Sequence, residues 1–202
     1  MTNIAPTKGN LLASKRSLSL ATVGYDLMDK KRNILVREMM ALIEEADALR
    51  GKIDETYSTA YEALQSANVT LGVCDTIAQS APIDDGLSLS FRSVMGVEIP
   101  TVALANPELE ICYDFSSTNS AFDEAYIGFH AVKLMIVKLA EIENSVFRLA
   151  VAIKKTQSRA NALKNIIIPN LDDTIRYIDS ALEEKEREEF SRLKVIKRNK
   201  ES

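Results

Sequence analysis

The chain has 202 residues, 46% apolar and 27% charged, enough for one domain of ordinary size, while seven glycines and five prolines leave little material for turns. Trp is absent and Ala, Leu, Ile, Lys and Glu are abundant, which favours long helices over a core of aromatic anchors. A net charge of -4 conceals basic ends without nucleic-acid-reading motifs, and no apolar run reaches the ~20 residues of a bilayer span.

The basic N-terminal end consists of Lys8, Lys15 and Arg16, all before the first acidic residue, Asp26. At the other end Arg192, Lys194, Lys197, Arg198 and Lys200 face only Glu201. Cys74 and Cys112 have neither zinc-ligand spacing nor a preceding secretory leader, so reduced thiols in a cytoplasmic protein are expected.

No proline interrupts residues 7–78, and Thr7 with Asn10 offers a helix start. With Leu11 at heptad position a, the a sites are Leu11, Leu18, Tyr25, Arg32, Met39, Ala46, Ile53, Ala60 and Ala67. The d sites are Ser14, Ala21, Met28, Leu35, Leu42, Leu49, Thr56, Ala63 and Thr70. Fourteen of these eighteen are apolar, well above what the composition alone would give, so the repeat is that of a coiled coil. Gly24 and Gly51 inside it mark flexibility or close approach of another helix.

Residues 80–119 break the pattern with Pro82, Gly86, Gly96, Pro100 and Pro107. Strict alternation in Leu87-Ser-Leu89-Ser-Phe91, and again in Val97-Glu-Ile99-Pro-Thr-Val102, predicts a β-hairpin turning at Gly96 with Pro100 on an edge strand. Asp84-Asp85-Gly86 lacks the remaining ligands of a calcium loop and reads as a turn. A second long helix is expected from Ser120, capped by that serine, with a seam of Ala125, Val132, Leu139, Val146, Ile153, Ala160 and Ile167. The seam then runs in fours, Leu163, Ile167, Leu171 and Ile175, a stutter that coincides with Pro169 and predicts a bend there.

The expected fold is therefore mainly α: a long antiparallel two-helix coiled coil, residues 1–79 and 120–202 forming one structural unit, with the hairpin-bearing insert 80–119 at the end opposite the termini. Equal pairing from the ends would set Leu11 near Leu193 and Lys30, Lys31 and Arg32 near Pro169, and would bring the two basic termini together. Tyr57, Tyr61, Tyr126 and Phe129 flank the junction of helices and insert, where they pack or meet a partner.

No catalytic or cofactor-binding constellation is evident. There is no phosphate-binding glycine loop, and His130, the only histidine, lies in an apolar helical stretch suited to packing. The residues alone admit a free-standing coiled-coil tether or adaptor, or more remotely a hydrolase built on His130.

Particular words in the sequence are more specific. Lys155-Thr156-Gln157, Asn161-Ala162-Leu163, Ile168-Pro169, Thr174-Ile175-Arg176-Tyr177-Ile178, Arg187-Glu188-Glu189-Phe190 and Arg192-Leu193-Lys194 resemble the C-terminal helix of the D subunit of the V-type and A-type rotary ATPases. Pro6-Thr7-Lys8, Leu11-Leu12, Lys15, Leu18, Ala21, Gly24, Leu27 and Lys31-Arg32 match the N-terminal helix in order and spacing. Lys164, where the family usually has an acidic residue, and Gly9-Asn10 depart from the pattern.

The resemblance implies a non-catalytic central rotor shaft, peripheral to the membrane on the cytoplasmic side. It would couple ATP hydrolysis or synthesis in a ring of catalytic A and nucleotide-binding B subunits to proton or sodium transport. The ring-facing residues it implies are Lys8, Lys15, Arg16, Lys30, Lys31, Arg32, Gln157, Arg159, Pro169, Arg176, Arg192 and Lys194. Leu87, Leu89, Phe91, Val97, Ile99, Val102, Tyr126 and Phe129 would meet the small F subunit, and the insert end would sit on the funnel-shaped subunit above the membrane rotor. No cofactor, metal, nucleic acid or direct membrane insertion is implied.

Overall fold

A computed structural model of the chain describes residues 4–79, 86–104 and 108–200, with Asp84 and Asp85 outside the described residues. Helix α1 spans Lys8–Leu71, a short α2 Asp75–Ala78, strands β1 and β2 Leu87–Val94 and Val97–Leu104, and a 3-10 turn Phe115–Ser117. Helix α3 spans Ser120–Ala162, a π-helical turn Leu163–Ile167, and α4 Ile168–Lys200. Two compact units result: one holds the residues up to Asn33 with those from Lys154 on, the other Ile34–Ile153.

The heptad repeat is realised in packing. Of the α1 a and d positions only Thr70 is exposed, because an apolar stripe at this spacing must be covered along its whole length. Thr7 caps α1 by accepting the Asn10 N–H at 3.2 Å, and the Asn10 amide donates to the Ala5 carbonyl at 2.8 Å.

α1 ends at Leu71, just past the last seam position, Thr70, and short of the residue 79 expected to close the first helix. Gly72 adopts φ 81°, a left-handed conformation that terminates helices, and its N–H donates to the Asn68 carbonyl at 3.1 Å. The return helix starts at Ser120, but its cap is Asn119, whose side chain accepts the Phe122 N–H at 2.9 Å. The Asn119 amide also donates to the Thr70 hydroxyl at 2.6 Å, fastening the two helix ends together.

In the Ile34–Ile153 unit the helices run antiparallel, with Arg50 bonded to Glu143 at 2.6 Å and Lys138 within 3.7 Å of Glu45. A small core of Ala67, Cys74 and Phe122 closes the connecting end, with Ile77, Tyr113 and Ala121 against it. The hairpin does not project from that end. It folds back along the pair, where Ile99, 1% exposed, packs on Leu35 and Leu149, flanked by Val94 and Val97. Burying this face supplies the docking an isolated hairpin needs.

In the other unit, the start of α1 also runs antiparallel to its partner. Lys8 lies 3.0 Å from Glu186, Lys15 3.5 Å from Asp179, and Arg32 donates to the Gln157 side chain at 2.8 Å. Leu11 shares a groove with Asp179 and Leu182. The expected pairings of Leu11 with Leu193 and of Lys30–Arg32 with Pro169 are thus displaced. Within each unit the observed partners lie nearer the start of the returning helix than equal pairing from the ends would place them. The N-terminal cations consequently meet carboxylates rather than the basic C-terminal residues, and the expected repulsion does not arise.

Pro169 produces no break in the helix. The turn before it widens, and the Ile168 N–H donates to the Leu163 carbonyl five residues back. A proline ring clashes with the carbonyl four residues before it, here that of Asn165, and a π turn opens the backbone at that place. The widened turn moves the seam by one residue. Ile168 and Leu171 are half-buried and Ile175 and Ile178 buried, whereas Ile167, expected in the seam, is 41% exposed.

Candidate functional site

The residues singled out from sequence fall into two groups, one in each unit. The ring-facing set lies wholly with the chain termini. Lys8, Lys15, Arg16, Lys30, Arg159, Pro169, Arg176, Arg192 and Lys194 are exposed, while Lys31, Arg32 and Gln157 are half-buried.

Arg32 occupies a heptad core position, and its charge is met by Asp29 at 2.7 Å, the Asn33 amide oxygen at 3.2 Å and Gln157 at 2.8 Å. Gln157 in turn donates to Asn161 at 3.0 Å. Guanidinium geometry suits such a fork, so Arg32 holds the seam, while Lys30 beside it remains available to a partner. Arg176 and Arg192 pair along their own helix with Asp172 at 2.7 Å and Glu188 at 3.6 Å. Lys8 is pushed above its ordinary range by the hydrogen bond and charge of Glu186. Lys164, the departure from the family pattern, places its ammonium 5.7 Å from the Tyr25 ring centroid, a cation–π contact that a carboxylate could not make.

Beyond Glu186, α4 carries Phe190, 70% exposed, and Leu193, 65% exposed, with Val195 and Ile196 also exposed. The charge pattern marks this end only as basic. The apolar spacing of three from Phe190 to Leu193 to Ile196 is the signal in the sequence that reveals its second character.

The second group surrounds the hairpin. Met95 and Gly96 have φ of 50° and 75°, a two-residue turn with both residues left-handed, which matches the twist of the strands it joins. Val94 pairs with Val97, so the ladder turns the backbone N–H and C=O groups of Leu87, Leu89, Phe91 and Ser93 toward one outer edge and those of Glu98, Pro100, Val102 and Leu104 toward the other. Helix α3 occupies the second edge. The Val102 N–H donates to Glu141 at 2.9 Å, Arg148 donates to the Glu98 carbonyl at 3.2 Å, and Pro100 between them has no N–H to satisfy.

Arg148 also lies 5.2 Å from the Phe91 ring centroid, and Arg92 is 3.4 Å from Glu38. Leu87, Leu89 and Phe91 remain exposed on β1. Ile99 is instead a core residue, and Val97 packs beside it. Packing on Leu35 and Leu149 removes Ile99 from the surface expected to meet a partner.

Tyr126 and Phe129 belong to different clusters. Phe129 packs edge-on against Tyr61 at 5.2 Å and Tyr57 at 6.3 Å. Tyr126 meets Tyr113 at 5.2 Å and donates its hydroxyl to the Glu110 carbonyl at 2.8 Å. The Tyr113 hydroxyl donates to Asp123 at 2.7 Å, and burial followed by that bond pushes it up to about 12. The Ser116 hydroxyl and N–H both donate to Asp114 and hold its carboxyl below the usual carboxylate range.

Close approach of the helices occurs where it was not expected. Nothing lies within 4 Å of a side chain built at Gly51, and one at Gly24 would only touch Leu163 at 4.0 Å. At Gly128 it would meet the Ala60 methyl at 2.8 Å and its Cα at 3.4 Å. Among the described residues there is no group of three or more His, Cys, Asp and Glu side chains that could hold a metal ion. No helix there is long and apolar enough to cross a membrane.

The family model for the ATP synthase D subunit matches residues 10–198. The chain belongs to the ATP synthase D subunit family. The V-type ATP synthase D subunit of Thermotoga neapolitana is 46% identical over 197 residues, covering 96% of this chain and 97% of the relative. The A-type ATP synthase D subunits of Pyrococcus furiosus and Thermococcus sibiricus are 38% and 35% identical, each over 96% of this chain and 93% of its own length. In this member of the D subunit family, the match runs across both units and takes in both groups of residues except Lys8.

Proposed function

We propose that this chain is the central rotor shaft of a V/A-type ATPase. It would carry torque between a ring of A and B subunits, where ATP is hydrolysed or made, and the membrane rotor that moves protons or sodium. The observation that carries this reading is the near end-to-end match to the ATP synthase D subunit, coupled with an α4 terminus whose exposed surface mixes Phe190, Leu193 and Ile196 with Arg192 and Lys194. Such a surface suits a surrounding sleeve with apolar and acidic lining.

The part asked of the chain is mechanical. A helical shaft without threefold symmetry presents different side chains to each of three ring sites, and a protein that binds one site conformation better than another shifts its population. Exposed Lys8, Lys15, Arg16, Lys30, Arg159, Arg176, Arg192 and Lys194 would supply long-range attraction without a single tight pose, since exposed ion pairs contribute about 0–1 kcal/mol each. That weakness permits rotation. Leu87, Leu89 and Phe91 on β1 would receive the small F subunit, and the end around Tyr113 and Phe122 the funnel-shaped subunit.

Native mass spectrometry of the tagged chain from its own cells tests the assignment. A ring-and-stalk assembly is expected, whereas a homodimer alone would establish an adaptor. In the assembled motor, Lys30→Glu with Lys31→Glu should lower ATP-driven torque and ATPase coupling while circular dichroism stays unchanged. Undiminished torque would remove these residues from the ring contact. Leu87→Ser, Leu89→Ser and Phe91→Ser together should release the F subunit from an intact ring, and its retention would remove β1 from that interface.

A further inference from the structure

The π turn holds a surplus that the seam can carry in two ways. From Leu163 to Ile175 the chain advances twelve residues in three seam steps, whereas a heptad seam would advance about 10.5. In the structure the steps are five, three and four, through Ile168 and Leu171. The same anchors, Leu163, Leu171 and Ile175, are also joined by steps of four, four and four through Ile167. The first route concentrates the surplus in the π turn, and the second spreads it as a stutter over α-helix.

We propose that residues 163–171 form a two-state register element in which Ile167 and Ile168 are alternative occupants of one seam position. Three observations carry this. Ile166, Ile167 and Ile168 are consecutive and chemically identical, so a rotation of the turn by one residue exchanges one isoleucine for another. Ile168 is half-buried while Ile167 is exposed, which defines the present state. On α1 the first residue of the turn, Leu163, faces Gly24, where even an added methyl would only touch it at 4.0 Å, so the turn is not tightly packed at that point. The cation–π contact of Lys164 with Tyr25 rests on a long flexible side chain that can follow it.

Pro169 sets the bias. In the stutter state its ring would press on the Asn165 carbonyl, whereas the π turn, closed by the Ile168 N–H on the Leu163 carbonyl, widens the backbone there. The element therefore changes the rotation of the helix over one or two turns while both flanking seams keep their register. Such a device gives a helix pair local torsional give without unzipping it.

A double-variant cycle on the full chain, read by thermal denaturation, tests the exchange. Ile167→Lys should shift the midpoint little, and Ile168→Lys only modestly because Ile167 takes its place. The double variant should lose at least about twice the sum of the singles, because neither occupant remains. A double variant equal to the sum, or Ile168→Lys alone matching the double, overturns the proposal. A second measurement needs no charged core: alkylation of Ile167→Cys and Ile168→Cys, mapped by peptide mass. Adding Pro169→Ala should slow reaction at 167 and speed it at 168 severalfold, and unchanged rates at both would show a single fixed register.

Discussion

Gly128→Ala is the sharpest test of how the helices of the Ile34–Ile153 unit meet. In an exposed helix this change stabilises by about 1 kcal/mol, since alanine restricts the unfolded chain and favours helix. Here the new methyl would stand 2.8 Å from the Ala60 methyl and 3.4 Å from its Cα. Neither atom can rotate away, because both are fixed to the α1 backbone, so the helices must separate by several tenths of an ångström. Overpacking of this kind costs about 1–3 kcal/mol, and with backbone on the receiving side the upper part of that range applies.

The net expectation is a loss of about 1–2 kcal/mol, or about 3–6 °C in the thermal midpoint for a chain of this size. Far-UV circular dichroism during heating, with a guanidinium titration in parallel, would measure it. The reciprocal variant carrying Ala60→Gly with Gly128→Ala restores one methyl at the crossing and should return within about 0.5 kcal/mol of the parent. A Gly128→Ala protein as stable as the parent or more so would refute the reasoning, because propensity would then have outweighed contact.

Other outcomes follow from the same geometry. Ile99→Ala should cost about 2–5 kcal/mol in chemical denaturation and Leu89→Ala under about 0.5, since only the first fills the space between Leu35 and Leu149; equal effects would contradict the docking of the hairpin. Met95→Asn places a residue suited to the left-handed turn and should raise amide-exchange protection in β1 and β2 by a factor of about 2–5, while lowered protection would exclude the turn geometry. Tyr113 has a folded-state value raised to about 12 from about 10, so its contribution is complete below pH ~10 and is lost as pH climbs toward 12. Urea midpoints across that window should fall in the parent and less steeply in Tyr113→Phe, and parallel curves would show that Tyr113 is not the group responsible.

Local pattern by itself determined the mainly helical fold, the α1 seam, the hairpin and its turn, and the family, because periodicity and terminal words are properties of neighbours along the chain. Leu35, Ala46, Ile53, Ala60 and Ala67 could be placed inside from spacing alone. Which glycine ends a helix, and which is pressed by another helix, depends on residues far away in sequence. Gly72 reads like Gly24 or Gly51 until its φ is known, and its left-handed conformation is what ends α1. Long-range pairing likewise set Arg32 against Gln157 and gave Lys8 a carboxylate partner.

Tertiary packing likewise turned Ile99, with Val97 beside it, from a plausible partner surface into core, since alternation shows that two faces of a hairpin differ but not which one the helices will take. At Pro169 the sequence showed a surplus in the seam. Only the backbone decided that it gathers in one π turn, because a proline whose ring meets the Asn165 carbonyl makes the widened turn easier to form than an evenly stretched helix.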